Sequence, residues 1–151
     1  MSLEIRLAEV EDVDAIRHLL ADDKLGSTRE DLSAEGLSKY LNAFHSIQND
    51  PGNELFVTVL NGELVGTFQL TWIPYLSRGG NERCLIEAVR VASARRGHGI
   101  GEKMMQFAIK RARERGCLLA QLTTDLTRPA AHRFYERLGF EATHHGMKLR
   151  L

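Results

Sequence analysis

The sequence contains no apolar run near the roughly 18 residues that a membrane-crossing helix requires, so no membrane role is expected. It has two cysteines, Cys84 and Cys117. They lie far apart and form no C-x-x-C pair, which excludes both a disulfide framework and a thioredoxin-like motif. Both flank apolar segments and are expected to be buried free thiols in a reducing compartment. No H-x-x-H or H-E-x-x-H spacing occurs, and no metal site is expected. The opening MSLEIRLAEVEDVD lacks a cationic stretch followed by an apolar one, so it does not read as a secretory signal, and the expected location is cytoplasmic. A single tryptophan and the lack of a nucleic-acid-binding motif leave no stacking platform, and no nucleic-acid partner is expected. Internal repeats, low-complexity tracts and linkers are also missing.

What is there is an ordinary globular composition, 43% hydrophobic and 26% charged over 151 residues, which fits one domain spanning 1–151. The formal net charge is zero but unevenly spread. Residues 1–75 hold 13 acidic and 5 basic side chains, residues 76–151 hold 7 and 15. Either the protein meets a polar partner, or the two halves face each other in the fold.

The pattern predicts a strand at LEIRLA, then a helix with Val13, Ile16, Leu19 and Leu20 on one stripe. A second helix carries Leu37, Leu41, Phe44 and Ile47 and stops at Pro51-Gly52. ELFVTVL and ELVGTFQLTW, joined by Asn61-Gly62, predict a hairpin. CLIEAVRV is a further strand. A helix follows from about Ile100 to Gly116, then a strand at LLAQLTT and a helix in RPAAHRFYERLGF ending at Gly139. The tail EATHHGMKLRL reads as two short strands around Gly146. The order mixes an antiparallel meander with later strand–helix–strand units. It predicts an α/β (α+β) fold, one mixed, mostly antiparallel sheet flanked by helices.

The stretch RRGHGIGEK, from Arg95 to Lys103, carries the strongest functional signal. Three alternating glycines, Gly97, Gly99 and Gly101, stand between a strand and a helix. The stretch is neither a dinucleotide fingerprint, since Glu102 stands where glycine is needed, nor a Walker loop. A helix start offers N–H groups without intrahelical partners and the positive end of the dipole. Glycines would let that backbone close on a pyrophosphate, and Arg95, Arg96 and Lys103 add positive charge. Glu87 also stands out, since it interrupts the apolar run of CLIEAVRV. Alternation puts Leu85, Glu87, Val89 and Val91 on one face unless a bulge shifts the register. A base role, a salt bridge to Arg83 or Arg90, and a plain edge position are all open for it.

VRVASARRGHGIGEKMM resembles the acetyl-CoA-binding motif of the GNAT superfamily of N-acetyltransferases. Arg96, Gly99 and Gly101 meet its R/Q-x-x-G-x-G/A pattern, after a strand ending at Val91. AAHRFYERLGF, Ala130 to Phe140, resembles the family's later helix motif, and the two occur in family order. The resemblance covers essentially the whole chain and implies a GNAT-like fold and an acetyl-CoA-dependent N-acetyltransferase. By that resemblance the main chain around Val89 and Val91 pairs with the pantetheine amides, and a backbone N–H near Val91 serves the carbonyl oxygen. The loop from Arg95 and Arg96 through His98, Ile100 and Glu102 holds the cofactor. Arg128 occupies the place of an Asn that holds the pantetheine arm in many members. Tyr135 is implied to protonate the leaving thiolate, and Glu87 to serve as base.

The acceptor is expected to be a small-molecule or peptide amine, and dimerisation is plausible by family habit. The other reading is a non-catalytic acyl-CoA sensor or interaction module on the same fold.

Overall fold

A computed structural model describes residues 2–151, which divide into two compact units, one ending at Gln121 and the other Leu122–Leu151. The first unit contains β1 (Leu3–Leu7), α1 (Val13–Ala21), α2 (Leu37–Asn49), β2 (Asn53–Leu60) and β3 (Glu63–Ile73). It continues through α3, a single turn at Ser77–Gly80, to β4 (Arg83–Val91), α4 (Ile100–Glu114) and β5 (Leu119–Gln121). The strands form one sheet in the order β1-β2-β3-β4-β5, antiparallel throughout except for the parallel β4–β5 pair. The mixed sheet predicted from element order is thus present.

The Asn61-Gly62 hairpin forms as its sequence demands, with φ of 51° and 84° at the two turn residues. On one face of the sheet Phe107 of α4 meets Phe56 and Phe68 edge-on, at 5.1 and 6.1 Å. Gly66 admits Met104 on that face, where a Cβ would stand 2.8 Å from the Met104 sulfur. On the other face α1 and α2 pack against β2, β3 and β4. The buried side chains include Val57, Val65, Phe68, Leu70, Ile86, Met104 and Met105. At about 1.5–3 kcal/mol each, this apolar burial is the main force holding the unit together.

The charge asymmetry resolves inside this unit. Acidic residues of the first half pair with basic residues of the second: Glu54 with Arg111, Glu63 with Arg95 at 2.7 Å, and Asp23 with Arg90 at 3.3 Å. Glu54 also accepts from Trp72 Nε1 at 2.7 Å. Burial resists ionisation of Glu54, but the bonds from Arg111 and Trp72 outweigh it and hold the carboxyl below its ordinary range.

Both cysteines are free and buried, and burial pushes the Cys84 thiol up to about 12 and also raises that of Cys117. α4 ends where Gly116 predicted, with Cys117 N donating to Ala112 O at 3.0 Å.

The second unit holds α5 (Pro129–Arg137), with Pro129 in its first turn and Arg128 as the N-cap. The helix closes at Gly139, and Phe140 N donates to Tyr135 O at 3.1 Å. Two expectations are corrected. The LLAQLTT strand shortens to Leu119–Gln121, and the tail around Gly146 forms no strand. Alternation at Met147, Leu149 and Leu151 marks strand character, but a strand needs a ladder neighbour. These three side chains are exposed.

Replacing Glu54 with Gln is expected to cost about 1–3 kcal/mol at neutral pH, because Arg111 loses its charged acceptor. The depressed carboxyl contributes stability above its unfolded value near 4.5 and loses it as pH falls through the folded value. Urea unfolding should therefore show wild type losing more stability than Glu54→Gln between about pH 5 and 3. Parallel acid limbs would show that the pair contributes no ionic stabilisation.

Candidate functional site

β4 departs from regular alternation. Glu87 pairs with Gln69 and Arg90 with Thr67, so one residue of β3, Phe68, lies opposite two of β4. The extra residue is accommodated by Ala88, whose φ of 53° is left-handed. A non-glycine residue there costs on the order of 1–2 kcal/mol. The bulge corrects the predicted face: Leu85 and Glu87 share theirs with Arg90, while Val91, opposite Gly66, joins the face of Ile86.

β5 pairs with β4 only at Arg83, Cys84 and Leu85. From Ile86 to Val91 no further ladder pair runs along this edge among the described residues. β3 pairs with the other edge as far as Val91. Six residues of β4 thus present main-chain groups along one edge, including Val89 and Val91.

The turn after β4 is tied down from an unexpected quarter. Asp22, just past α1, accepts from Ser93 N at 2.8 Å and Ser93 Oγ at 3.1 Å. Arg96 donates from Nε to Val91 O at 3.1 Å and from Nη2 to Asp22 O at 2.7 Å. Arg96 therefore anchors the loop as well as charging it, and Arg95 is engaged by Glu63. His98 Nδ1 lies 2.9 Å from Arg96 O, with the ring exposed. Nothing in the spacing of the sequence links residue 22 to residues 93 and 96, and Asp22 went unpredicted for that reason.

Gly97 and Gly99 have φ of 79° and 77°, and a Cβ on either would meet nothing within 4 Å. Their first requirement is conformational, and the space above them is open. Gly99 is the N-cap of α4 and offers no side-chain cap. The first intrahelical bond is Lys103 N to Gly99 O at 3.2 Å. The N–H groups of Ile100, Gly101 and Glu102 precede it, and the loop from Ser93 to Gly99 is exposed. This uncapped helix start, with Lys103 beside it, fits a phosphate-bearing ligand.

Glu87 is exposed and forms no hydrogen bond or ion pair among the described residues. The salt-bridge alternative is not realised: Arg90 is engaged by Asp23, and Arg83 stacks on Tyr75 at 4.0 Å. In the second unit, the Tyr135 ring meets Phe134 and Phe140 edge-on at 5.1 and 5.8 Å. Arg128 N donates to Asp125 O at 2.9 Å, placing Arg128 at the entrance of α5. Among the described residues no group of three or more His, Cys, Asp or Glu is arranged to hold a metal ion. None of their helices is long and apolar enough to cross a membrane.

A strand, a glycine turn and an uncapped helix start thus follow one another at the open part of this sheet. Residues 13–140 match the Acetyltransferase (GNAT) family, and the chain belongs to that family. It is 30% identical over 141 residues to aminoalkylphosphonate N-acetyltransferase of Salmonella typhimurium, covering 93% of this chain and 86% of that protein. A crystal structure from Bacillus halodurans C-125, described as a transcriptional regulator, superposes with a TM-score of 0.95 at 47% identity over 99% of this chain and 100% of that one. A Clostridium acetobutylicum structure solved with acetyl-CoA shares the fold, with a TM-score of 0.76 at 16% identity, covering 99% of this chain and 96% of that one.

Gly99→Ala should destabilise the protein by about 1–2 kcal/mol through its left-handed backbone alone. Asp22→Ala keeps the backbone carbonyl that Arg96 binds but removes the carboxylate, and should leave the melting temperature nearly unchanged while raising amide exchange at Ser93. Unaltered exchange there would show that the tie does not order the loop.

Proposed function

We propose that this chain moves the acetyl group of acetyl-CoA to a primary amine of a small molecule or peptide by direct attack. The observation that carries the reading is the exposed, uncapped start of α4, entered through left-handed Gly99. In this reading the N–H groups of Ile100, Gly101 and Glu102 receive the pyrophosphate, with Arg95, Arg96, Gly97 and His98 forming the loop around it. The open β4 edge at Val89 and Val91 receives the pantetheine amides, and Arg128 adds a contact from the entrance of α5.

Acetyl-CoA supplies an activated thioester. The amine nitrogen bonds to its carbonyl carbon as the carbon–sulfur bond breaks. An ammonium of the lysine type, with a pKa of about 10.4, must first lose a proton. Glu87 accepts it, directly or through water. Its exposure and lack of a cation partner support that role. The bulge at Ala88 supports an oxyanion donor in this part of β4, since backbone strain of this kind concentrates at functional sites. Tyr135 gives its phenolic proton to the departing thiolate and is reprotonated, directly or through water, by the second proton that the nitrogen sheds as the amide forms, a role supported by the FYERLGF match. The Salmonella relative is named for an amine bearing a phosphonate, which supports a small-molecule acceptor.

The description of the Bacillus halodurans structure favours a second reading, an acyl-CoA-binding sensor without turnover. Titration calorimetry with acetyl-CoA and its dephospho analogue, followed by CoA release with a panel of amines, tests both. Binding that weakens without the phosphate, together with CoA release, is expected for the enzyme. Binding without release on any amine would favour the sensor. Tyr135→Phe should lower kcat more than acetyl-CoA affinity. Glu87→Gln should slow the reaction most at neutral pH and recover as pH rises and the amine deprotonates itself. A pH profile parallel to wild type would remove Glu87 from the base role.

A further inference from the structure

Arg83 opens β4 on the same face as Glu87. Its pair is Ile73, that of Leu85 is Thr71, and that of Glu87 is Gln69, with no register shift among them. All three β4 side chains therefore rise from one side of the sheet. Arg83 is half-buried and lies over the Tyr75 ring, its Cζ 4.0 Å from the centroid. Its Nη1 donates to Gln121 Oε1 at 3.2 Å. No carboxylate among the described residues pairs with it, and the neighbouring acid, Glu82, is engaged by Arg115. A guanidinium offers five donors, and one of these is used here. Contact with an aromatic ring holds the fork in place without occupying its remaining donors.

From these observations we infer that Arg83 anchors an oxyanion on the acceptor, so that the acceptor is a short amine carrying a phosphonate, phosphate or carboxylate group. The inference rests on the transferase reading for the place of the amine, which lies at Glu87. Four residues of extended chain separate the two Cα atoms by about 13 Å, which is also the spacing of the charged ends where the two side chains rise in parallel. Subtracting a hydrogen bond of about 3 Å at each end leaves about 7 Å between amine nitrogen and anionic oxygen. That is a linker of about five bonds in extended form.

Half-buried Leu85 lies between the two charged residues and presents an apolar bed to such a linker. Beside it, Asn53 Oδ1 accepts from Gln69 Nε2 at 3.1 Å and from Thr71 Oγ1 at 2.6 Å. This row is fixed, neutral and half-exposed, and it adds no competing charge.

The test compares two probes of matched length, 3-aminopropylphosphonate and 4-amino-1-butanol. It uses wild type, Arg83→Gln and Arg83→Lys, with folding checked by circular dichroism. Wild type should favour the phosphonate by roughly tenfold or more in kcat/KM. Arg83→Gln should abolish that preference through KM, with kcat and the butanolamine reaction little changed. Arg83→Lys should keep part of it, since it retains the charge without the planar fork. A wild type with no preference, or a preference that survives Arg83→Gln, overturns the anchor and leaves the transferase reading intact.

If wild type acetylates neither probe, calorimetry of the CoA-saturated protein with 3-aminopropylphosphonate decides the anchor separately. Binding lost in Arg83→Gln upholds the anion site while the transfer reading fails. No binding overturns the anchor.

Discussion

The organisation of this protein depends on β4 being paired along one edge and left open along most of the other. β3 holds it from Arg83 to Val91, while β5 reaches only to Leu85. A strand edge with unpaired donors and acceptors is a template for an extended partner, and proteins normally hide or interrupt such edges. Here the edge stays open beside a bulge at Ala88 and runs directly into the uncapped start of α4. The strain at Ala88 persists because the core face is over-determined: Ile86 and Val91, on either side of the bulge, are held by their pairing with Leu70 and Gly66. The same kink sets Arg90 on the face of Glu87, where Asp23 meets it.

Under the proposed function, binding groups and reactive groups come from different parts of the chemistry of the chain. Main-chain atoms would face the cofactor, at the edge of β4 and in the first turn of α4, where identity matters only as a requirement for glycine. Side chains would face the acceptor, on the sheet face that bears Arg83, Leu85 and Glu87. One strand would serve both, its edge addressing one substrate and its face the other. That division would let a sheet of five strands, one of them three residues long, organise a two-substrate site.

Much of this was legible from the sequence because the signals were local. The Asn61-Gly62 turn, the glycines after β4, Gly116 and Pro129 each act within a few residues and fall where propensity places them. The charge split between the halves was visible too, and its resolution into Glu54–Arg111, Glu63–Arg95 and Asp23–Arg90 needed the fold to bring distant residues together. What escaped the sequence was non-local or conformational. Ala88 has no feature that marks it for a left-handed backbone, so alternation misassigned Val91. Asp22 reaches the loop from 71 positions away. The tail has the alternation of a strand but forms none within its own unit.

The burial of Cys84 and Cys117 has a practical side. A thiolate, not a thiol, reacts with electrophiles, and both side chains are enclosed and held in the neutral form. Acetyl transfer from a thioester liberates a free, solvent-exposed thiol of ordinary acidity. A disulfide or maleimide reagent added to the folded protein therefore meets a nearly silent background, and the colour or fluorescence it develops reports the released CoA. The packing that makes these cysteines inert makes the chain transparent to the simplest assay of its own chemistry.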